Sequence, residues 1–339
     1  MITLVPKNSF FTLAPRVEVL QPDSARMSVP KPLRLVRQVS QLYSSIRNFR
    51  PDLCMTFGED IAAAATPIAK LAGARGTWNF FRGRPERSIN GPKGGLNRLT
   101  SRLSDRIFVQ TAAGKMALSG FYPPDKLVVW ANPIEIPDLT RPPEQREQLI
   151  VNIGSIGRLK NQEALVRIFD NIEGQAERWE VTFVGDGPDR SKLEASISAS
   201  AAASRIRVAG EQQNVAPYLN RAAIFAFTSL SEGFPNALAE AMAAGCACIS
   251  YDCPTGPSEL IDHGVNGFLV EPGDEAEYTR LLQRLIDEPK LREEFSRNAR
   301  ESMKRFEASV VLGRLEEMIE EAIDKKQAQG TRNKDQGKQ

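Results

Sequence analysis

Two glutamates, Glu232 and Glu240, lie eight residues apart in the stretch Ser-Glu-Gly-Phe-Pro-Asn-Ala-Leu-Ala-Glu-Ala-Met. The residues from Asn236 to Ala244 include no β-branched side chain and are rich in alanine and leucine, which predicts a helix. Pro235 suits the first turn of that helix, where its missing N–H is no loss. Because a helix start presents free N–H groups and the positive end of the helix dipole, it suits a phosphate group.

The two carboxylates would therefore flank a predicted anion site. Glu240 lies a little over one helical turn from the start, where it could accept hydrogen bonds from ribose hydroxyls. Glu232 lies in the loop before the helix, where it could hold the hydroxyls of a sugar. The alternative interpretation is an amphipathic core helix with two incidental glutamates.

This Glu-x7-Glu spacing resembles the donor-site signature of the retaining glycosyltransferases of family 4, also called glycosyl transferases group 1. The resemblance implies the GT-B fold, an α/β architecture of two Rossmann-like doubly wound domains that face a cleft. It implies that Glu240 and the helix start bind the donor, with contributions from Gly233, Phe234, Pro235, Asn236, Ala237 and Leu238.

A second motif, Gly-Ser-Ile-Gly-Arg-Leu-Lys-Asn-Gln at 154–162, is similar to the family segment that holds the donor diphosphate. The resemblance implies that Lys160 and Arg158 stabilise the charge on the departing diphosphate, as fixed cations can. A gapless alignment on Lys-Asn-Gln instead places Ser155 where the family arginine lies. Together with Glu232, the predicted catalytic residues are Lys160 and Arg158.

Shorter segments continue the family order over roughly residues 149–273. The turn at 184–188 resembles the family turn near the nucleotide and adds Gly185 and Gly187 to the predicted donor site. The loop at 210–215 matches the loop that contacts the base and adds Asn214 and Val215.

No metal or cofactor is predicted. Cys246, Cys248 and Cys253 cluster, but their spacings of two and five are not the usual zinc pairs, and the single histidine, His263, has no partner. The resemblance implies that the leaving diphosphate itself deprotonates the acceptor, so neither a metal nor a protein nucleophile is needed. Nothing in the sequence indicates disulfides, which favours a reducing cytoplasm.

The acceptor side is less well marked. Many relatives use a first-domain histidine near the reaction centre, but this chain has none before His263. Ligands favour the crevice at the carboxyl ends of parallel strands. The predicted acceptor residues are therefore polar groups that end or follow two predicted strands: Glu59, Asn79, Arg82 and Arg84.

Charge is unevenly distributed. Residues 1–140 carry 19 Lys/Arg against 10 Asp/Glu, and the remainder carries 25 against 32. The basic first part favours an anionic partner, and without interleaved aromatic residues it does not resemble a nucleic-acid module. We expect a polysaccharide or lipid-diphosphate-linked acceptor, in the cytoplasm with peripheral contact to an anionic membrane surface. A solvated basic face is the alternative.

Strand and helix patterns alternate along the chain, which predicts doubly wound parallel sheets. We predict an acceptor-side domain over 1–140, a donor domain over 141–305, a helix over 306–325 that packs back toward the first domain, and a disordered tail over 326–339. Met1–Val5 resembles the second strand of the family fold, so the first strand, glycine-rich loop and helix, about thirty residues, are expected to be missing.

The sequence thus predicts transfer of a sugar from a nucleotide diphosphate sugar to a hydroxyl acceptor with anomeric retention. The predicted setting is bacterial surface polysaccharide or lipid-linked oligosaccharide synthesis. A truncated, non-catalytic nucleotide-binding relative or partner subunit is the main alternative. A sugar nucleotide 2-epimerase of the same fold is disfavoured, because such an enzyme should carry its own histidines.

Overall fold

The computed structural model describes residues 31–84, 89, 91–138 and 141–336. The predicted strand Met1–Val5 lies outside these residues. The described helices are Lys31–Phe49, Glu59–Leu71, Gly91–Ser101, Ala112–Leu118, Gln162–Asp170, Arg190–Ala199, Ala216–Arg221, Asn236–Ala243, Pro257–Leu260, Glu275–Asp287, Pro289–Met303 and Ala308–Gln336.

Ten described strands form two parallel sheets. The strands are β1 Leu53–Phe57, β2 Gly76–Phe80, β3 Arg106–Val109, β4 Leu127–Val129, β5 Glu147–Ile153, β6 Glu180–Val184, β7 Ile206–Gly210, β8 Ala222–Phe227, β9 Ala247–Tyr251 and β10 Phe268–Val270. The first sheet has the order β1-β2-β3-β4, and the second has the order β10-β9-β8-β5-β6-β7. Every strand pair is parallel, so the predicted α/β class with two Rossmann-like units is confirmed.

The second sheet is covered on both faces. All six residues of β8 are buried, as expected of a central strand in a sheet with helices on each side. One side packs around Leu165, Phe169 and Leu282, and the other packs around Leu238 and Met242 of helix Asn236–Ala243. This packing fixes the start of that helix at the carboxyl end of the sheet.

The last helix returns to the first sheet. Leu315, Met318 and Ile319 pack against the aromatic cluster of Trp78 and Phe80. The helix continues to Gln336, whereas the sequence predicted a disordered tail over 326–339. Lysine, glutamine and alanine favour a helix and no proline interrupts residues 326–336, although Gly330 has a low helix propensity.

The polar, proline-rich stretch before β5 includes a structural arginine. Arg146 donates from Nη1 to the carbonyl oxygens of Leu219 at 3.0 Å and Ala222 at 2.8 Å, and from Nη2 to Ala244 O. These carbonyls lie at or just beyond the carboxyl ends of two helices, where backbone oxygens lack helical partners. Arg146 therefore ties those two helix ends together.

Candidate active site

Two loops meet at the carboxyl edge of the second sheet. Gly154 N donates to Val184 O at 3.0 Å, and Ile156 N donates to Asp186 O at 2.9 Å. A Cβ built on Gly185 would overlap Gly154 O, and one on Gly187 would overlap Ile156 O. Both glycines are therefore required by the close approach of the two loops.

A cavity of about 450 Å³ opens over these loops. It is lined by Gly154, Ser155, Gly185, Gly187, Gln212 and Val215, with four further residues of the same loops and strands. The predicted donor residues Gly185, Gly187 and Val215 thus share one cavity. Ser155 also lies there, as expected from the gapless alignment.

Lys160 and Glu232 form an ion pair at the same edge, although 72 positions separate them. The distance from Lys160 Nζ to Glu232 Oε1 is 2.5 Å, and the two side chains are 29% and 11% exposed. Ser229 Oγ donates to the same Oε1 at 2.5 Å. The structure therefore brings two of the three predicted catalytic side chains together.

Backbone and hydroxyl contacts position this pair. Leu230 N donates to Leu159 O at 2.7 Å, and Thr228 Oγ1 donates to Lys160 O at 3.1 Å. The hydroxyl of Thr255 donates to Glu232 O. These hydrogen bonds hold the loop of Lys160 and the loop of Glu232 against each other, so the two side chains are already positioned to form the ion pair.

The helix Asn236–Ala243 begins beside this pair. Its start receives no hydrogen bond from a capping side chain among the described residues, so the N-terminal end is available to an anion. Phe234 and Leu238 are buried and anchor it. A Cβ on Gly233 would lie 3.0 Å from Arg82 O, a tight contact that would press on that loop of the first sheet.

Glu240 lines a second cavity, of about 530 Å³, together with residues 213–220 and the segment that connects the two sheets. Asn214, Val215 and Glu135 line the same cavity. Burial, and to a smaller extent the charge of Glu135, raises the pKa of Glu240. Val215 belongs to both cavities, so the two adjoin and could hold the parts of one extended ligand.

Arg158 lies elsewhere. Its side chain is exposed and lines a smaller cavity with Arg167 and Lys192, between helices Gln162–Asp170 and Arg190–Ala199. Lys160 N donates to Gly157 O at 2.8 Å, and the turn that this bond closes directs Arg158 and Lys160 to different surroundings. The placement of Arg158 thus does not support the predicted catalytic role.

Two predicted acceptor residues, Arg82 and Arg84, lie on the loop that faces Gly233, and a third, Glu59, begins helix Glu59–Leu71 and contacts that loop. Glu59 Oε1 accepts from Gly83 N at 2.9 Å, and Arg84 Nη1 donates to Ser231 Oγ at 3.2 Å. Burial lowers the pKa of Arg82. These contacts join the end of β2 to the loop of Glu232.

Asn79, the fourth predicted acceptor residue, is internal. It is 2% exposed, and its Oδ1 accepts hydrogen bonds from the hydroxyls of Thr56 at 2.7 Å and Thr66 at 2.9 Å. Asn79 is the fourth of five residues in β2, and its side chain lies under helix Glu59–Leu71 rather than in the crevice. Its placement contradicts a direct contact with an acceptor.

Sequence reasoning missed three residues that connect the sheets. Gln110 Nε2 donates to Asn132 Oδ1 at 2.8 Å, and Asn132 Nδ2 donates to Asn236 Oδ1 at 2.6 Å. Glu259 Oε1 accepts from Ala113 N at 2.9 Å. Their position in the sequence could have indicated Gln110 and Asn132, since each lies within three residues after a strand of the first sheet.

Cys246, Cys248 and Cys253 are buried thiols, and Cys54 is partly exposed. Burial raises the pKa of Cys253 to about 12 and that of Cys248 well above its ordinary value. Across the described ranges, no three His, Cys, Asp or Glu side chains come close enough together to hold a metal ion.

In the same part of the chain, no helix has the length and apolar character to cross a bilayer.

The second part of the chain is similar in sequence to known glycosyltransferases. Residues 140–302 match the family model described as Glycosyl transferases group 1. The chain is 34% identical over 161 residues to the lipopolysaccharide 1,6-galactosyltransferase of Salmonella typhimurium. That alignment covers 46% of this chain, and the chain spans less than half, 45%, of the relative's length.

Solved structures resemble nearly the whole chain. The lipopolysaccharide outer core galactosyltransferase WaaB in its apo form has a TM-score of 0.73 at 21% identity, over 90% of this chain and 84% of that chain. Anabaena HepE in complex with UDP has a TM-score of 0.78 at 17% identity, over 90% and 86%. The chain therefore has the GT-B fold, and its second part matches a glycosyltransferase family.

Proposed function

We propose that this protein is a retaining glycosyltransferase of family 4 that uses a nucleotide diphosphate sugar. The observation that carries the proposal is the Lys160–Glu232 pair, 2.5 Å long, beside an uncapped helix start. Cation, carboxylate and helix start all lie within the region that matches the family model. Such a site can bind a sugar and a diphosphate side by side.

The two adjoining cavities suggest how the donor lies. Glu240 would accept hydrogen bonds from the ribose hydroxyls, with the base against the loop of Asn214 and Val215. The diphosphate would lie over the loops of Gly185 and Gly187 and at the start of helix Asn236–Ala243. HepE, which has the same fold, was solved in complex with UDP, which supports a nucleotide as the kind of ligand.

The ion pair between Lys160 and Glu232 would open when the donor binds. As the diphosphate enters, it competes for Lys160 Nζ and releases Glu232, whose carboxylate then accepts hydrogen bonds from the donor sugar. The bond between the anomeric carbon and the diphosphate oxygen breaks, and the acceptor oxygen bonds to that carbon on the same face. The proton of the acceptor hydroxyl passes to the departing diphosphate, which Lys160 and the helix start stabilise.

The proposed acceptor is a polysaccharide or a lipid-diphosphate-linked saccharide of the bacterial surface. The lipopolysaccharide relative supports the first class, and the excess of Lys/Arg over residues 1–140 supports an anionic acceptor or lipid surface. Arg82 and Arg84, on the loop that faces Gly233 and Ser231, are the proposed cations on the acceptor side. The division into domains 1–140 and 141–305, and a cytoplasmic site with peripheral membrane contact, are parts of this proposal.

The test is sugar transfer and donor hydrolysis with UDP-, GDP- and ADP-sugars, comparing the unaltered chain with Glu232→Gln. We expect the substitution to lower kcat by about 10²- to 10³-fold, the range for removal of one transition-state contact, with nucleotide diphosphate binding retained. Glu320→Gln, on the exposed surface of the last helix, is the matched control and should leave the rate unchanged. Nucleotide binding without turnover by the unaltered chain would instead identify a non-catalytic relative.

A further inference from the structure

Three amide side chains form a continuous relay from the first sheet to the helix Asn236–Ala243. Gln110 Nε2 donates to Asn132 Oδ1 at 2.8 Å, and Asn132 Nδ2 donates to Asn236 Oδ1 at 2.6 Å. Gln110 and Asn132 are 8% and 4% exposed, whereas Asn236 is exposed at the helix start. The relay therefore runs from a buried end to an end that a ligand can reach.

The relay has a direction. An amide group offers donors only on its nitrogen and acceptors only on its oxygen. Because Asn236 uses Oδ1 to accept from Asn132, its Nδ2 is the group left to donate. A relay of the opposite direction would turn Asn236 Oδ1 outward and would repel an anion. Aligned amides also polarise one another, which strengthens the terminal donor.

The buried end of the relay leaves one acceptor unsatisfied. Gln110 Oε1 is buried and lacks a hydrogen-bond partner among the described residues. A Cβ on Gly233 would lie 3.1 Å from this oxygen, and a small cavity beside it is lined by Phe81, Gly83 and Gly233. An unpartnered buried acceptor is unfavourable. This cost opposes the direction in which Gln110 Nε2 donates to Asn132, so the variants below are chosen to test the direction itself.

We propose that Gln110 and Asn132 are positioning residues that turn Asn236 Nδ2 toward the donor diphosphate. The inference rests on the proposed function, because the anion is the diphosphate of the nucleotide sugar. By this proposal, two side chains that follow strands of the first sheet influence the affinity of a diphosphate site on the second sheet. The contact between the sheets is then part of donor binding, not of packing alone.

The isosteric substitution Asn132→Asp tests the direction. The new carboxylate can still accept from Gln110 Nε2, but it cannot donate to Asn236 Oδ1. Asn236 then turns its Nδ2 toward the carboxylate and presents Oδ1 to the anion. By calorimetry with UDP, GDP and ADP, we expect the Kd of the nucleotide that the unaltered chain binds to rise about tenfold or more, the size of one lost charge-assisted hydrogen bond. Binding of the matching nucleoside should change less than about twofold.

A double-mutant cycle separates the relay from direct charge repulsion. In an Asn236→Ala background, Asn132→Asp should have little further effect on nucleotide diphosphate binding, since no amide is left to turn. An equal loss in both backgrounds would show direct repulsion and overturn the proposal. Equal losses for nucleoside and nucleotide diphosphate, or no loss at all, would overturn it as well. Asn48→Asp adds the same charge on an exposed helix surface and should leave binding unchanged.

A second variant makes the test independent of the folding of Asn132→Asp. Gln110→Glu retains the side-chain shape but cannot donate to Asn132 Oδ1, so the relay should reverse and the same selective loss should appear. Thermal unfolding verifies that each variant is folded. If the unaltered chain binds none of the three nucleotides, the proposed function and this inference both fail. If it binds one and the variants bind equally well, only this inference fails.

Discussion

Replacing Lys160 with methionine would test how the ion pair contributes to stability. The substitution keeps an unbranched side chain of similar length but leaves Glu232, 11% exposed at the side chain, without its cation. Removing one partner of a fully buried pair costs about 3–5 kcal/mol, and surface pairs contribute about 0–1 kcal/mol. With Lys160 29% exposed and the Ser229 hydroxyl still bonded to Glu232, we expect a loss of about 2 kcal/mol.

For a folding unit of the size of residues 141–305, that loss lowers Tm by about 4–8 °C. Glu232→Gln should cost less, because the more exposed lysine regains water and the amide oxygen still accepts hydrogen bonds. The double variant should resemble Glu232→Gln alone. Differential scanning calorimetry of the four proteins gives the complete cycle.

A matched variant at an exposed ion pair gives an independent check. Lys192→Met is the control, since Lys192 lies 3.9 Å from Glu163 with side chains 69% and 38% exposed, and it should change stability by less than about 0.5 kcal/mol. Equal Tm losses for the two single variants at Lys160 and Glu232, or a loss for Lys160→Met no larger than that of Lys192→Met, would refute the reasoning.

Two further predictions concern the cavities. The raised pKa of Glu240 means that the folded state binds its proton more readily than the unfolded state, so this group's contribution favours folding at low pH and is lost as the pH rises through the folded pKa. Glu240→Gln should therefore raise Tm at neutral pH but not at acidic pH, and should weaken nucleotide binding; a gain that persists in acid would contradict this. Gly187→Ala should lower both Tm and nucleotide affinity, because its Cβ would overlap Ile156 O, whereas Gly120→Ala, with open space around the added methyl, should change neither. Calorimetry measures Tm and nucleotide titration measures affinity for all three variants. Equal changes in Tm and affinity for the two glycine variants would count against the loop contact.

Local patterns predicted that strands and helices alternate along the chain. Strands such as Leu53–Phe57 and Gly76–Phe80 are short, largely apolar runs bounded by turn residues. Alternation of strand and helix then indicates parallel sheets, because each crossover needs a helix on a face of the sheet. The last helix was predicted to end earlier, since the polar composition after Lys325 suggests disorder, and no proline there prevents the helix from continuing.

The candidate site was predictable only in part. The motifs identified Lys160 and Glu232, but nothing local in the sequence indicates that they meet at 2.5 Å, since that depends on the adjacency of β5 and β8. Asn79 and Arg158 show the converse case. Each has suitable chemistry near the end of a strand, yet one is enclosed by two threonine hydroxyls and the other faces a different cavity.

The sequence by itself determined the α/β class, the order of the elements and the residue types at the carboxyl edge of the second sheet. These properties depend on propensity, periodicity and short motifs, which act over a few residues. Only the tertiary structure decided which side chains share a cavity, which are buried, and that Gln110 and Asn132 reach Asn236. The physical reason is that a side-chain contact between distant loops depends on strand order, loop approach and rotamer, and none of these is encoded in the spacing of a single segment.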